Sequence, residues 1–192
     1  MVYIKDLKFN ADPPAIEDGH TASQALYYAW EGITRFHDGV ATVNLFLNRA
    51  SGWMDVDSYL PHKGKVVLHN KQARSALVRM PAWLGTSPIS ATLNGSQEHP
   101  PRAGRYLAFE RLRPGDVITL HFDVPQSPEK YTIDDIKYTV AFRGSTAIDM
   151  QPRDSGPHGY PLYLREPMKS GEASMHTVKR FAADSLIGAQ VF

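Results

Sequence analysis

Hydrophobic and polar positions alternate with period two through most of this chain. In the segment 40–47, Ala41, Val43, Leu45 and Leu47 fall on one face and Thr42, Asn44 and Phe46 on the other, the pattern of a half-buried strand. Further strands are predicted over 65–69, 75–80, 89–93, 105–110, 117–124, 137–142 and 146–150. Pro81, Asn94–Gly95, Pro114–Gly115 and Arg143–Gly144 punctuate them, Asn94–Gly95 being the strongest short hairpin signal. Gly144 reads as marking a bulge rather than a phosphate-binding loop. Ahead of the strands, Leu26, Ala29, Trp30, Ile33 and Phe36 recur at helical spacing, and Thr21 with Gln24 has the spacing of a capping box. These predict a helix over 22–36 stopped by Asp38–Gly39. The fold class is therefore mainly β, an antiparallel β-sandwich preceded by one N-terminal α-helix.

The expected organisation is an extended lead-in at 1–20, where Pro13 and Pro14 interrupt any periodicity, a helix at 21–37 and a sandwich at 38–166. A tail follows at 167–192, in which 179–192 alternates weakly and is a candidate edge strand. A lone helix cannot bury its own apolar stripe, so it is expected to pack on the sandwich or on a domain lying outside this chain.

Composition narrows the chemistry. The 192 residues carry 21 Lys plus Arg against 20 Asp plus Glu, a net charge of +1, so no field of either sign points to nucleic acid or to an anionic membrane surface as partner. There is no cysteine, which excludes disulfides, thiolate zinc sites, iron–sulfur clusters and a thiol nucleophile. The first residues carry Lys5, Asp6 and Lys8 with no apolar run, so a secretory signal is not expected and a cytoplasmic location is the default expectation. No stretch approaches the ~18 apolar residues of a spanning helix.

Residues 48–62 hold the densest mixture of aromatic and polar groups. Trp53 and Tyr59 have the chemistry to stack on a sugar ring while Asp55, Asp57 and Arg49 hydrogen-bond hydroxyls. The same residues also suit a long sandwich connection, with the aromatics closing the core edge and the aspartates capping turns. Trp83 and Tyr106 are further candidate platforms. Asp55 and Asp57, two apart on an extended segment, would share a face, whereas adjacent Asp134 and Asp135 would not; a glycosidase acid/base pair of carboxylates must sit across a cleft. Asp55-x-Asp57 also resembles half a calcium loop, but the glycine and bidentate glutamate that complete one are missing, so no metal is expected. The eight histidines, at 20, 37, 62, 69, 99, 121, 158 and 176, form no zinc-hydrolase motif. His121 reads as a satisfied face residue of its strand. Ser51, Ser58 and Ser155 lack a nucleophile-elbow context.

Several ordered motifs then point one way. Gln24–Glu31, Val43–Ser51, Asp55–Pro61, Gly64–Val67, Val78–Trp83, Ala91–Gly95, Arg113–Val117 and Tyr138–Gly144 together resemble the C-terminal part of bacterial glycoside hydrolases of the β-L-arabinofuranosidase type. The resemblance spans 24–167. It implies that an (α/α) toroid with the active site precedes β-sandwich domains, and that catalysis uses a cysteine nucleophile and a zinc ion held by cysteines and a glutamate. It also implies that the helix here is the last of the toroid. The stretch matching the family's Cys-rich motif is Glu17–Ser23, without cysteine, and neither Asp18 nor His20 can replace a zinc-bound thiolate. The remaining toroid residues would lie upstream of Met1. No catalytic residue is carried over, and neither cofactor nor metal is expected.

The leading expectation is a non-catalytic sandwich module or fragment acting in plant-glycan degradation as a scaffold, its partner a catalytic toroid or a second copy of itself. Two alternatives stand beside it: a carbohydrate-binding module using Trp53, Tyr59, Trp83 and Tyr106, with Asp55 and Asp57, on a glycan ligand; and an independent hydrolase using Asp55, Asp57 or a histidine.

Overall fold

A computed structural model describes residues 27–153 apart from 134, together with positions 25, 169 and 171. Two five-stranded sheets face each other. In chain order the strands are β1 (Thr34–His37), β2 (Val40–Val43), β3 (Met54–Ser58), β4 (Lys65–Asn70), β5 (Ser75–Arg79), β6 (Ile89–Leu93), β7 (Ser96–Glu98), β8 (Arg102–Ala103), β9 (Tyr106–Phe109) and β10 (Val117–Phe122). The first sheet has the order β1-β2-β5-β9-β8 and the second β3-β4-β10-β6-β7. All pairings are antiparallel except β2 with β5, which run parallel, Val40 opposite Ser75 and Val43 opposite Val78. Alternation puts Ala41, Val43, Ala76, Val78, Leu107 and Phe109 of the first sheet into one buried cluster with Met54, Val56, Val66, Leu68, Ile118 and Leu120 of the second. This dry layer drives the sandwich together.

A third sheet is a plain meander of β11 (Gln126–Ile133), β12 (Ile136–Arg143) and β13 (Thr146–Gln151). It buries Val140, Phe142 and Ile148. Gly144 turns the chain from β12 to β13 at φ +60°, and a Cβ there would lie 3.1 Å from the Trp83 ring. Its N–H donates to the Pro125 carbonyl at 2.9 Å. The bulge expected at Gly144 lies instead between Ala141 and Phe142, because the glycine's left-handed conformation is spent on the two-residue turn. Asp135 sits in the β11–β12 turn at φ +64°.

The helix expected over 22–36 stops earlier. Among the described residues helix runs through 27–31, and the Gly32 N–H closes it on the Tyr28 carbonyl at 2.8 Å. Thr34–His37 is strand, paired with β2 across Asp38–Gly39. Asp38 and Gly39 have φ of +49° and +82°, so the dipeptide read as a helix stop is a type I′ hairpin turn. Ile33 and Phe36 keep their apolar role but serve the sandwich. The strand expected to run to Leu47 ends at Val43, where the chain bends so that Phe46 joins Ala41 and Val43 in the core. The capping-box residues, Leu26, the serine and histidines at 155, 158 and 176, and the tail strand over 179–192 lie outside the described residues. Among the described residues no helix is long and apolar enough to cross a membrane.

Two polar devices hold the loops. Asn70, at the end of β4 and 3% exposed, donates through its side-chain amide to the carbonyls of Ala73 and Arg113, both at 2.8 Å, and accepts from the Ala73 N–H at 2.9 Å. Asp116 accepts from the Asn94 side chain at 2.9 Å and from the Arg113 N–H at 2.7 Å, while Asn94 accepts from the Val117 N–H at 2.9 Å. The Asn94–Gly95 hairpin and the Pro114–Gly115 turn are thereby clamped to each other. Asn94 above all, then the Arg113 N–H, holds the Asp116 carboxyl below its ordinary value of 3.8, against a smaller opposing effect of burial. A carboxyl that ionises more readily in the folded chain contributes stability above the unfolded-state aspartate range and loses it as pH falls through the lowered folded value. Asp116→Asn is expected to flatten the acid limb of a Tm-against-pH curve between roughly pH 5 and pH 2; an acid limb identical to that of the parent chain would count against the clamp.

Gly64 precedes β4 at a backbone crossing. Its carbonyl accepts from the Phe122 N–H at 2.9 Å, and a Cβ would fall 1.6 Å from the Phe122 carbonyl oxygen. That overlap is with backbone, which no rotamer change relieves. Gly64→Ala is expected to destabilise by about 3 kcal/mol, read as a lower urea midpoint with an unchanged m-value.

Candidate functional site

The residues singled out in 48–62 fall on β3 and its flanks. Met54, Val56 and Ser58 point into the core, so Asp55 and Asp57 share the outer face, as their spacing requires. Asp55 accepts from the Ser51 N–H at 2.9 Å and pairs with Lys71 at 2.7 Å, and the Lys71 ammonium also donates to the Ser51 carbonyl at 2.7 Å. Asp57 meets the His69 imidazole at 2.8 Å, both side chains 44% exposed. Each carboxylate thus has a neighbouring counter-group. Ser51 and Ser58 are buried; the Ser51 hydroxyl donates to the Met54 carbonyl and accepts from the Met54 N–H.

The aromatics are distributed. The Trp53 ring stacks on Phe36 with centroids 5.8 Å apart and planes 14° apart, and its indole N–H donates to the Thr34 hydroxyl at 3.1 Å. It bridges the end of β3 in one sheet and β1 in the other. Tyr59 has the Lys65 ammonium 4.7 Å from its ring centroid, a cation–π distance. Trp83 lies on a short 3₁₀ turn, Ala82–Leu84, edge-on to Phe122 at 5.9 Å, and Phe122 stacks on Phe46 at 5.7 Å. The Tyr106 hydroxyl donates to the Asn44 side-chain oxygen at 3.4 Å. Arg49 is buried, its guanidinium 3.7 Å from the Trp30 ring centroid and bonded to the Trp30 carbonyl at 2.6 Å. The β3 face therefore brings Asp55, Asp57 and Tyr59 together on one strand end, with Trp53 turned to Phe36 and Trp83 elsewhere.

A groove of about 1090 Å³ opens beside this face, beyond Lys65. Its lining includes Lys65, Ser90, His99, His121 and Phe122 but none of Trp53, Asp55, Asp57, Tyr59, Trp83 and Tyr106, the residues read as sugar-binding from the sequence. Strand register explains how these residues meet. Lys65 lies opposite His121, His121 opposite Ser90, and the β6–β7 pairing of Ala91 with Glu98, carried one step on, sets His99 opposite Ser90. The Asn94–Gly95 turn carries the signal: a two-residue loop there places residues 90 and 99 opposite each other. The spacing rule for metal motifs missed the set because its members come from separate strands. Among the described residues no group of three or more His, Asp or Glu is placed to hold a metal ion.

No family model matches the sequence, and no curated protein matches it. Solved structures do. A protein described as a glycoside hydrolase superimposes with a TM-score of 0.53 at 19% identity, over 76% of this chain and 28% of its own. A GH127 β-L-arabinofuranosidase from Geobacillus stearothermophilus T6 gives 0.48 at 16% identity, over 66% of this chain and 22% of its own. Another GH127 β-arabinofuranosidase gives 0.47 at 17% identity, over 60% and 23%. The chain spans between 22% and 28% of the length of these structures. What this protein shares with the glycoside hydrolase of the first comparison is its fold, the β-sandwich that makes up a fraction of that longer chain.

Proposed function

We propose that this chain is a non-catalytic β-sandwich module of glycoside-hydrolase type, acting in carbohydrate degradation as a scaffold for a catalytic partner such as an (α/α) toroid. The observation that carries the reading is the fold likeness over 76% of this chain against 28% of the solved glycoside hydrolase. Local chemistry supports it. Asp55 and Asp57, the carboxylates best spaced for acid–base work, sit with Lys71, Ser51 and His69 on a strand face outside the groove lining, whereas a carboxylate acid/base mechanism needs two carboxyls facing each other across bound substrate. The absence of cysteine removes the thiolate that the sequence resemblance implies for catalysis. Incubating the purified chain with aryl arabinofuranosides and plant glycans tests the proposal: no sugar is expected to appear, and release of arabinose or another sugar by the chain alone would overturn it.

A scaffold role makes Trp53 a wedge between sheets rather than a sugar platform. Trp53→Ala is then expected to lower unfolding free energy by about 3 kcal/mol, measured by urea denaturation, and Trp53→Phe, which keeps the stacking and removes the bond to Thr34, by about 1 kcal/mol.

A further inference from the structure

Asn94 is the one asparagine of this chain followed by glycine, and such a pair carries its own chemistry. The backbone nitrogen of the glycine can attack the side-chain carbonyl carbon of the asparagine and close a succinimide ring. The C–N bond of the side-chain amide breaks, and ammonia leaves with the proton of the glycine N–H. Water then opens the imide to aspartate or isoaspartate. Asparagine is among the thermolabile residues, most of all where the next residue has no side chain to hinder the attack.

The fold both presents this pair to solvent and holds it. Asn94 and Gly95 are exposed and form the two central residues of a type I′ turn, with φ of +52° and +82°. A Cβ at Gly95 would meet nothing within 4 Å, and among the described residues the Gly95 N–H has no hydrogen-bond acceptor. The Asn94 side chain, by contrast, is held at both of its polar atoms. Its Nδ2 donates to Asp116 at 2.9 Å, and its Oδ1 accepts from the Val117 N–H at 2.9 Å. The Asn94 N–H adds a bond to the Val117 carbonyl at 2.8 Å. Cyclisation requires the amide to turn its carbon onto the Gly95 nitrogen, a rotation that breaks the side-chain bonds to residues 116 and 117.

We propose that Asn94 is a site of spontaneous succinimide formation and that its bond to Asp116 restrains the reaction. The structural consequence follows from the fold. Aspartate at 94 offers Asp116 no donor and sets two carboxylates where a charge-assisted bond stood. Isoaspartate also carries the main chain through the side-chain methylene, lengthening a two-residue loop whose size sets the β6–β7 register. β7 pairs only with β6 and is exposed throughout, so no other strand holds it in place. Gln97 and Glu98 of β7 line the groove, and the modification therefore loosens one groove wall.

Incubation of the full chain at mildly alkaline pH, followed by peptide mapping with mass spectrometry, tests the proposal. Slow amide-to-acid conversion at Asn94 is expected in the parent chain. In Asp116→Ala it is expected to run about tenfold faster, the change in a local opening equilibrium on losing one charge-assisted bond. Isoaspartate is expected among the products, with the rates at Asn44, Asn48 and Asn70 unchanged. Asp116→Asn keeps an acceptor oxygen and supplies the same comparison, with a smaller acceleration, if the alanine variant loses its circular dichroism signature. Asn94→Asp, one hydrolysis product made directly, is expected to melt about 3 °C below the parent chain. A rate at 94 unchanged or slowed in a folded Asp116 variant, acceleration shared by the other asparagines, or an Asn94→Asp chain as stable as the parent would overturn the proposal. None of these outcomes touches the scaffold reading, which is decided by hydrolysis.

Discussion

The backbone crossing of Gly64 and Phe122 sets the geometry of the second sheet. A carbonyl and an N–H meet there at 2.9 Å with no room for a side chain, and β4 starts from that point in register with β10. A slip of one residue would send Val66, Leu68, Ile118 and Leu120 to solvent. The same register aligns Lys65 with His121 on the other face. One contact therefore serves two surfaces, the dry core on the inside and the Lys65–His121 pair on the outside, and Phe122 carries it further by stacking on Phe46 and meeting Trp83.

Polar side chains do the remaining joining. Asn70 ties the end of β4 to the approaches of β5 and β10, all three of its bonds directed at backbone groups. Arg49 does the same for the helical segment, covering Trp30 and binding its carbonyl while its own backbone bridges to Val56. The Asn44 side chain adds a bond to the Gly32 carbonyl at 3.0 Å. The short helix is thus fastened by its carbonyl end. Three aromatic residues on it, Tyr27, Tyr28 and Trp30, remain exposed.

Strands with an alternating buried face were legible in the sequence, since β4, β5, β6, β9, β10, β12 and β13 all coincide with predicted segments. β3 has such a face, Met54 and Val56 alternating with Asp55 and Asp57, but its two aspartates and flanking aromatics drew it into the 48–62 segment read as a site or a connection. Most of the other strands that were not legible lack that face. β7 and β8 are exposed throughout, and β11 carries Pro128 and Lys130 at exposed positions about a half-buried Glu129, so nothing in their hydrophobic pattern distinguishes them from loop. β1 was hidden for a different reason: Trp30, Ile33 and Phe36 fall at helical spacing by coincidence, and the Asp38–Gly39 hairpin signal was outweighed by that stripe. At the site, the shared face of Asp55 and Asp57 was readable from their spacing, and so was the Asn94–Gly95 turn. The groove was not, because strand order is a property of the whole fold and no local pattern reveals that β10 lies between β4 and β6.

The parallel pairing of β2 with β5 shapes how the molecule holds together. Between those two strands the chain leaves the first sheet, lays down β3 and β4 in the second, and returns. It crosses again for β6 and β7, and once more for β10. Neither large sheet can be completed from a contiguous stretch of sequence, and a break anywhere between the end of β3 at Ser58 and the start of β9 at Tyr106 divides the strands of both. The meander of β11, β12 and β13 has the opposite character, each strand pairing only with its sequence neighbour. The sandwich is therefore a unit assembled from distant contacts, with a locally wired sheet attached at Gly144 and Trp83 whose pairings close only short loops.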